Sequence, residues 1–375
     1  MFEELTGHED PHPIYEQVRA LGPLVEVGGQ WVTTSHAVSN KVLRDRRFGM
    51  RFTDGTYPGF AGLLPQSFLE LDPPDHTRLR RLAMPAFSPK KIDEYRTRVE
   101  KVAESLLDPE NSNAGEFDLM TDFAAPLPIA VISDLLGVPD SDTAEFADYG
   151  ALVARSFDTG VTGEMRHAND KVLALFERLI AERRARPGDD VISSLVAAEA
   201  ERKLTAQELM GTLVLLLVAG FETTVNLIGN GARALLDHPA QWALFKAHPE
   251  LASDVVEETL RWAPPVQLTG RIAQEQVDDI RTDEMVNIII GAANRDPEVY
   301  PEPHRFDVMR VQKPEHLAFS SGIHYCLGAT LARMEGEVAF RALARRMPEL
   351  RQNGPVIFRS SVTIRGLASF PVSRS

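Results

Sequence analysis

The stretch Phe319-Ser320-Ser321-Gly322-Ile323-His324-Tyr325-Cys326-Leu327-Gly328 ends against a helical pattern, Ala329-Thr330-Leu331-Ala332-Arg333, and it contains Cys326, the one cysteine among 375 residues. A lone cysteine forms no internal disulfide and builds no multi-cysteine zinc or iron–sulfur site. Three roles remain: a buried inert thiol, a nucleophile, or a single metal ligand. Its surroundings favour the ligand. A thiol just ahead of a helix faces unpaired backbone N–H groups and the positive end of the helix dipole, which favours the thiolate. Gly322 and Gly328 remove side-chain bulk on either side, so a flat ligand can approach the backbone.

Upstream, residues 205–236 carry the longest helical pattern, opened by the capping-box sequence Thr205-Ala206-Gln207-Glu208. A helix this long is a coiled coil, a membrane span or a buried central helix. No heptad is sustained, so a buried central helix is expected. Its middle reads Ala219-Gly220-Phe221-Glu222-Thr223-Thr224. A helical Gly costs about 1 kcal/mol relative to Ala, and a buried carboxylate is costly unless partnered. The bland alternative is close packing at Gly220 beside a solvated Glu222. Thr hydroxyls can also bond back to the preceding turn and bend a helix.

Glu258 and Arg261, three apart, share a helix face. Alone they would be a surface pair worth under ~1 kcal/mol. His76 and Arg80 share a face of the helix that Asp72-Pro73-Pro74-Asp75 opens, and Arg271 follows Thr269-Gly270. Imidazolium and guanidinium groups suit carboxylates; a solvated basic helix is the alternative.

The rest of the chain reads as mainly α with minor β. Helices are expected at 13–21, 35–43, from Asp75 onward, and at 89–107, 129–136, 143–157, 166–184 and 189–198. A hairpin is expected at 24–33 with Gly28-Gly29 at its turn. Residues 49–70, rich in Gly, Pro and aromatics, read as a long loop. β-type alternation appears in 269–290 and again in 356–372. Hydrophobic content of 43% with 25% charged residues suits a globular enzyme able to bury a bulky cofactor. The net charge of −14 argues against general nucleic-acid binding. The first residues lack the basic start and apolar core of a signal peptide, and the apolar run at 209–221 is too short to span a bilayer. A cytoplasmic protein without a membrane anchor is expected.

The pattern Phe-x-x-Gly-x-His-x-Cys-x-Gly over 319–328 resembles the haem-binding loop of the cytochrome P450 family, and the likeness runs from about Pro13 to the C-terminus. The resemblance implies the cytochrome P450 fold, a single haem-thiolate monooxygenase domain over residues 1–375, and haem b as cofactor. Cys326 would be the axial ligand of the iron; such a thiolate donates electron density and favours O–O cleavage. Phe319 would pack beside it, with Gly322, Gly328 and Ala219 against the haem. His324, His76, Arg80 and Arg271 would hold the propionates. The segment 219–224 resembles the family's oxygen-binding motif. There Gly220 would make room for O2, Thr223 would hold the distal water or oxygen, and Glu222 would relay the protons that splitting O2 consumes. Glu258, Arg261 and Arg305 resemble the family's structural triad beneath the cysteine loop.

The substrate implied is a mainly hydrophobic small molecule, hydroxylated or epoxidised, in contact with Phe60, Leu63, Leu64, Phe157, Ala219, Gln267 and Leu268. Electrons would come from NAD(P)H through a ferredoxin or flavodoxin docked against Arg78, Arg80, Arg81, Lys90, Lys91 and Arg333. A monomer is expected. Within the same fold, a peroxide-driven enzyme or a nitric-oxide reductase would be expected to lack the Glu222-Thr223 pair. A haem-binding sensor or carrier would leave that pair and the basic face without work. Residues 277–285 depart from the family: they stand where a small hairpin is expected but lack its usual Gly and Pro turn residues. That departure concerns local sheet geometry, not the chemistry.

Overall fold

The long pattern forms one 32-residue helix, Ala206–Asp237. Its start is held by a reciprocal capping box: the Thr205 N–H donates to Glu208 Oε2 at 2.8 Å, and the Glu208 N–H donates to Thr205 Oγ1 at 3.2 Å. The helix is long and apolar enough to cross a membrane, yet 83% of its most apolar window is buried by other parts of the protein. It is a core helix, hydrophobic all round because it is covered all round. The computed structural model of the chain describes residues 9–58, 65–108, 117–154, 162–311 and 313–374.

Helices Pro126–Leu136, Asp140–Ala154, Gly163–Ala185 and Val191–Ala200 pack on one side of the central helix. Ala252–Trp262 and Ala329–Arg346 pack on it elsewhere and on each other, and Pro89–Leu106 lies against Ala329–Arg346. The expected helix at 129–136 starts earlier, at Pro126, because proline is tolerated in a first turn whose N–H groups have no intrahelical partner. The one expected at 143–157 runs from Asp140 and is described to Ala154. A short helix, Pro239–Ala247, was not anticipated.

The hairpin forms between Val25–Val27 and Gln30–Thr33, with Gly28 and Gly29 at φ +60° and +77°, the left-handed pair that two-residue hairpins favour. It joins a five-stranded sheet in the order Val25–Val27, Gln30–Thr33, Met285–Ile289, Leu268–Ala273, Phe48–Gly49. Only the pairing of Gln30–Thr33 with Met285–Ile289 is parallel. The turn that lacks glycine solves its geometry with aspartate: Asp278 and Asp283 take φ of +54° and +65°, a region Asp tolerates better than most residues. Val277 and Ile280 bridge and bury their side chains. The ladder from Leu268↔Ile289 to Ile272↔Met285 runs unbroken, so the sheet is intact despite the shortened turn.

Candidate active site

A cavity lies between the middle of the central helix and the cysteine loop. Leu215, Leu216, Ala219, Gly220 and Thr223 wall one side, and Phe319, His324, Cys326, Leu327 and Gly328 the other. Phe68, Leu69 and Val266 close its flanks. No group of three or more metal-ligating His, Cys, Asp or Glu side chains occurs among the described residues, which leaves Cys326 as a single-ligand candidate.

The Cys326 N–H donates to the Phe319 carbonyl at 2.9 Å and closes the loop. The cysteine presents surface to the cavity but is otherwise enclosed by protein. Burial pushes its thiol up, against the Gly328 N–H and the Arg80 and Arg333 charges, which pull it down. The N–H contact expected of the helix end is there, and desolvation of the enclosed thiol works against it. A coordinated metal, which deprotonates a bound thiol outright, supplies what the protein alone does not. The two glycines also differ. Gly328 lines the cavity. Gly322 instead sits at φ +72°, where an added Cβ would lie 2.4 Å from the Leu43 carbonyl oxygen. It is needed for the loop to cross that helix end, not to admit a ligand.

Cationic and cationisable groups gather at one edge of the cavity. His324 and Arg80 line it. His76 lies on His324 with ring centroids 4.3 Å apart. Arg271, only 4% exposed, donates to the Gly270 carbonyl at 2.8 Å. Neither ring nitrogen of His76 nor Nε2 of His324 has a hydrogen-bond partner among the described residues. Burial, then the Arg271, His76 and Arg80 charges, drives His324 down to about 2. Burial and Arg80 lower His76 as well. Buried donors without acceptors are costly, and an anion at this edge would satisfy them.

On the central helix, Thr223 Oγ1 donates to the Ala219 carbonyl at 3.0 Å and faces the cavity. Glu222 does not. It is 3% exposed and turned to the far side of the helix, where it is ion-paired with Arg359 and lies 3.5 Å from Asn226 Nδ2. An added Cβ on Gly220 would lie 2.7 Å from Ile132 Cδ1, so its missing side chain serves helix packing, while its backbone lines the cavity.

Comparison with known proteins gives the same answer along almost the whole chain. A family model described as Cytochrome P450 matches residues 246–347. The cytochrome P450 monooxygenase PikC of Streptomyces venezuelae is 39% identical, covering 97% of this chain and 91% of the relative. The chain belongs to the cytochrome P450 family. Among solved structures, the P450 superposes on P450BioI, solved in complex with hexadec-9Z-enoic acid ligated acyl carrier protein, at TM-score 0.91 with 34% identity, covering 97% and 98% of the two chains. Ligand-free CYP164A2 of Mycobacterium smegmatis gives TM-score 0.89 with 40% identity, covering 97% and 96%.

Haem, the family's prosthetic group, fits these residues on two counts. A thiol faces the cavity from Cys326, and the unsatisfied donors of His76 and His324, with Arg80 and Arg271, stand where two propionate carboxylates would satisfy them. When bound, the iron activates O2.

Beneath the cysteine loop, Glu258 and Arg261 form a buried pair, with Arg261 Nε and Nη2 donating to the carboxylate at 2.7 and 2.8 Å. The third side chain is Arg310, not Arg305. Arg310 Nε lies 3.3 Å from Glu258 Oε1. Arg305 contributes its carbonyl, which accepts from Arg261 Nη2 at 3.1 Å, while its half-exposed guanidinium pairs with Glu302. The polypeptide turns back after Arg305, and that turn carries Arg310 to the pair.

Two further expectations move. Gln267 is engaged with Tyr15 Oη and the Pro264 carbonyl, and Leu268 packs among Tyr15 and Val18. Within the stretch 266–269, also expected to meet substrate, Val266 just ahead of the strand and Thr269 within it line the cavity. Phe60, Leu63, Leu64 and Phe157 lie outside the described residues. Of the six basic residues assigned to docking, Arg78 pairs with Asp75 and Glu208, Lys91 with Glu94 and Asp189, and Arg333 with Glu257. Arg80 turns inward to the Tyr325 carbonyl at 2.5 Å. An acidic chain supplies local carboxylates to most of its cations.

Glu335 escaped the sequence reading. It is 1% exposed, on the helix after the cysteine loop, with the Thr224 hydroxyl as partner and Oε2 without one among the described residues. Burial pushes its carboxyl well above the usual range. The folded protein then holds a proton that the unfolded chain releases as pH rises, so this residue lowers stability progressively above the unfolded pKa. Glu335→Gln is expected to remove that loss, about 1.4 kcal/mol per pH unit above the unfolded carboxylate value for as long as the buried carboxyl stays protonated. Urea unfolding at a series of pH values from the carboxylate range upward checks it; parallel stability–pH curves for the two proteins would show Glu335 ionised in the fold.

Proposed function

We propose that this P450 hydroxylates or epoxidises a neutral, mainly apolar small molecule, with Cys326 as the iron ligand and His76, His324, Arg80 and Arg271 holding the haem propionates. The observation that carries this is the arrangement of one cavity, with a lone thiol on one wall, a helix hydroxyl on the other and unsatisfied donors at its edge. Phe68, Leu69, Leu215, Leu216 and Val266 support an apolar substrate, since none offers a charge to anchor an acid or amine. Thr223 holds a water on the substrate side of the haem and passes it protons. Glu222 lies behind Thr223, tied to a partly exposed Arg359, and takes up protons from solvent rather than handing them directly into the cavity.

Electrons arrive singly from NAD(P)H through a small acidic carrier of ferredoxin type. Arg81 and Lys90 are the expected cations still exposed without an ion pair among the described residues. The protein works as a cytoplasmic monomer with one catalytic domain.

Thr223→Ala is expected to cut product formed per NAD(P)H consumed by about tenfold or more while NAD(P)H oxidation continues. The check is product and cofactor measured together, using a substrate found by the spin-state shift it causes on binding. Tight coupling in the variant would remove Thr223 from proton delivery.

A further inference from the structure

Around Phe319, four charged or polar side chains, Arg333, Glu257, Tyr325 and His316, meet from separate segments. The Arg333 guanidinium lies over the Phe319 ring, 4.5 Å from its centroid. Its Nε and Nη2 donate to the two oxygens of Glu257 at 2.6 and 3.1 Å, and its Nη1 donates to Tyr325 Oη at 3.1 Å. Glu257 has a second cationisable neighbour, His316, whose Nε2 stands 3.3 Å from Oε2 in a close but poorly aligned contact. His316 Nδ1 accepts the Ala318 N–H at 3.3 Å, so Nε2 carries the proton and faces the carboxylate. The His316 side chain is only 1% exposed. Burial would raise the Glu257 carboxyl, but the His316 and Arg333 contacts outweigh it and hold it at about 2. The pair is thus fully charged, partly sheltered from solvent, and one residue wide from the thiol: Phe319 and Cys326 share a cavity wall, and the Arg333 charge is felt at the thiol.

We infer that Arg333 and Glu257 are positioning residues forming a matched charge pair that sets the electron affinity of the thiolate-bound iron through the Phe319 shelf. This rests on Cys326 being the iron ligand. The guanidinium lies on the ring beside the thiolate and the carboxylate lies beyond it, so the cation favours the reduced, more negative centre and the anion opposes it. Surface ion pairs seldom matter. This one differs because its cation is stacked on an aromatic ring and its anion is held by two donors.

The test is a spectroelectrochemical titration of the ferric/ferrous couple in the purified holoprotein, without a redox partner, so that any docking role of Arg333 does not enter. Arg333→Gln is expected to lower the reduction equilibrium constant about tenfold and Glu257→Gln to raise it by a similar factor, each 59 mV for a one-electron couple. The double variant should fall between them. A purely structural role would move both single variants the same way. Shifts of one sign, or none with the thiolate CO signature intact, would overturn the inference. If Arg333→Gln fails to fold, Arg333→Lys keeps the charge but not the flat fork, and should hold the constant within about twofold; a tenfold change there would also overturn it. Wild-type protein lacking the thiolate signature would instead overturn the assignment of Cys326.

Discussion

Cys326→Ala is expected to abolish monooxygenase turnover, by at least about a thousandfold, or some 4 kcal/mol of barrier. The ferrous–CO complex should lose the red-shifted Soret band of a thiolate-bound haem. The loss is expected to be larger than that of any cavity-wall substitution, because the thiolate's electron donation is what drives O–O cleavage and the chain offers no second cysteine. His324, the nearest alternative ligand type on that wall, is kept among cations and His76. The propionate cradle does not depend on Cys326, so the variant is expected to retain haem while losing the chemistry. The check is the CO difference spectrum together with product formation. A variant that keeps both the thiolate band and turnover would remove Cys326 from the iron.

Arg261→Ala is expected to cost about 3–5 kcal/mol of stability. The Arg261 side chain is fully buried, and it donates to both oxygens of Glu258 and to the carbonyls of Asn294, Pro303 and Arg305. Truncation removes both guanidinium donors from a buried carboxylate and leaves the Asn294 and Pro303 carbonyls without this donor, while Arg310 and the Asp307 N–H still reach Glu258. Arg305→Ala is the matched control, expected to change stability by less than about 0.5 kcal/mol because its guanidinium is half-exposed. Denaturant unfolding, followed by the haem signal and by circular dichroism, checks both. A loss below about 1 kcal/mol for Arg261→Ala would mean that the pair is solvated in the working protein. Equal losses for both arginines would restore Arg305 to the triad.

Legibility followed the range of the interactions. The central helix, its capping box and the Gly28-Gly29 hairpin were readable because each is made by residues a few positions apart. The cysteine loop was readable as a motif, and the structure places Cys326, His324 and Gly328 on one wall facing Thr223. The direction of Glu222 was not legible, because neighbouring residues in a helix point about 100° apart, and Glu222 turns to Arg359, 137 positions away. Arg310, His316 and Glu335 were invisible for the same reason. Each owes its role to partners on other segments, and no local period marks a buried cation or acid.

From sequence alone came the family, the cofactor class, the long buried helix and the residue types that chemistry at a haem requires. The tertiary structure decided which of those side chains face one another. It turned Glu222 to Arg359, replaced Arg305 by Arg310, drew Gln267 and Leu268 off the cavity while keeping Val266 and Thr269 on it, and placed the Glu257–Arg333 pair against Phe319. The division has a physical cause. Local hydrogen bonds and hydrophobic periodicity act within a few residues, whereas burial and charge pairing are properties of the space that distant segments enclose together.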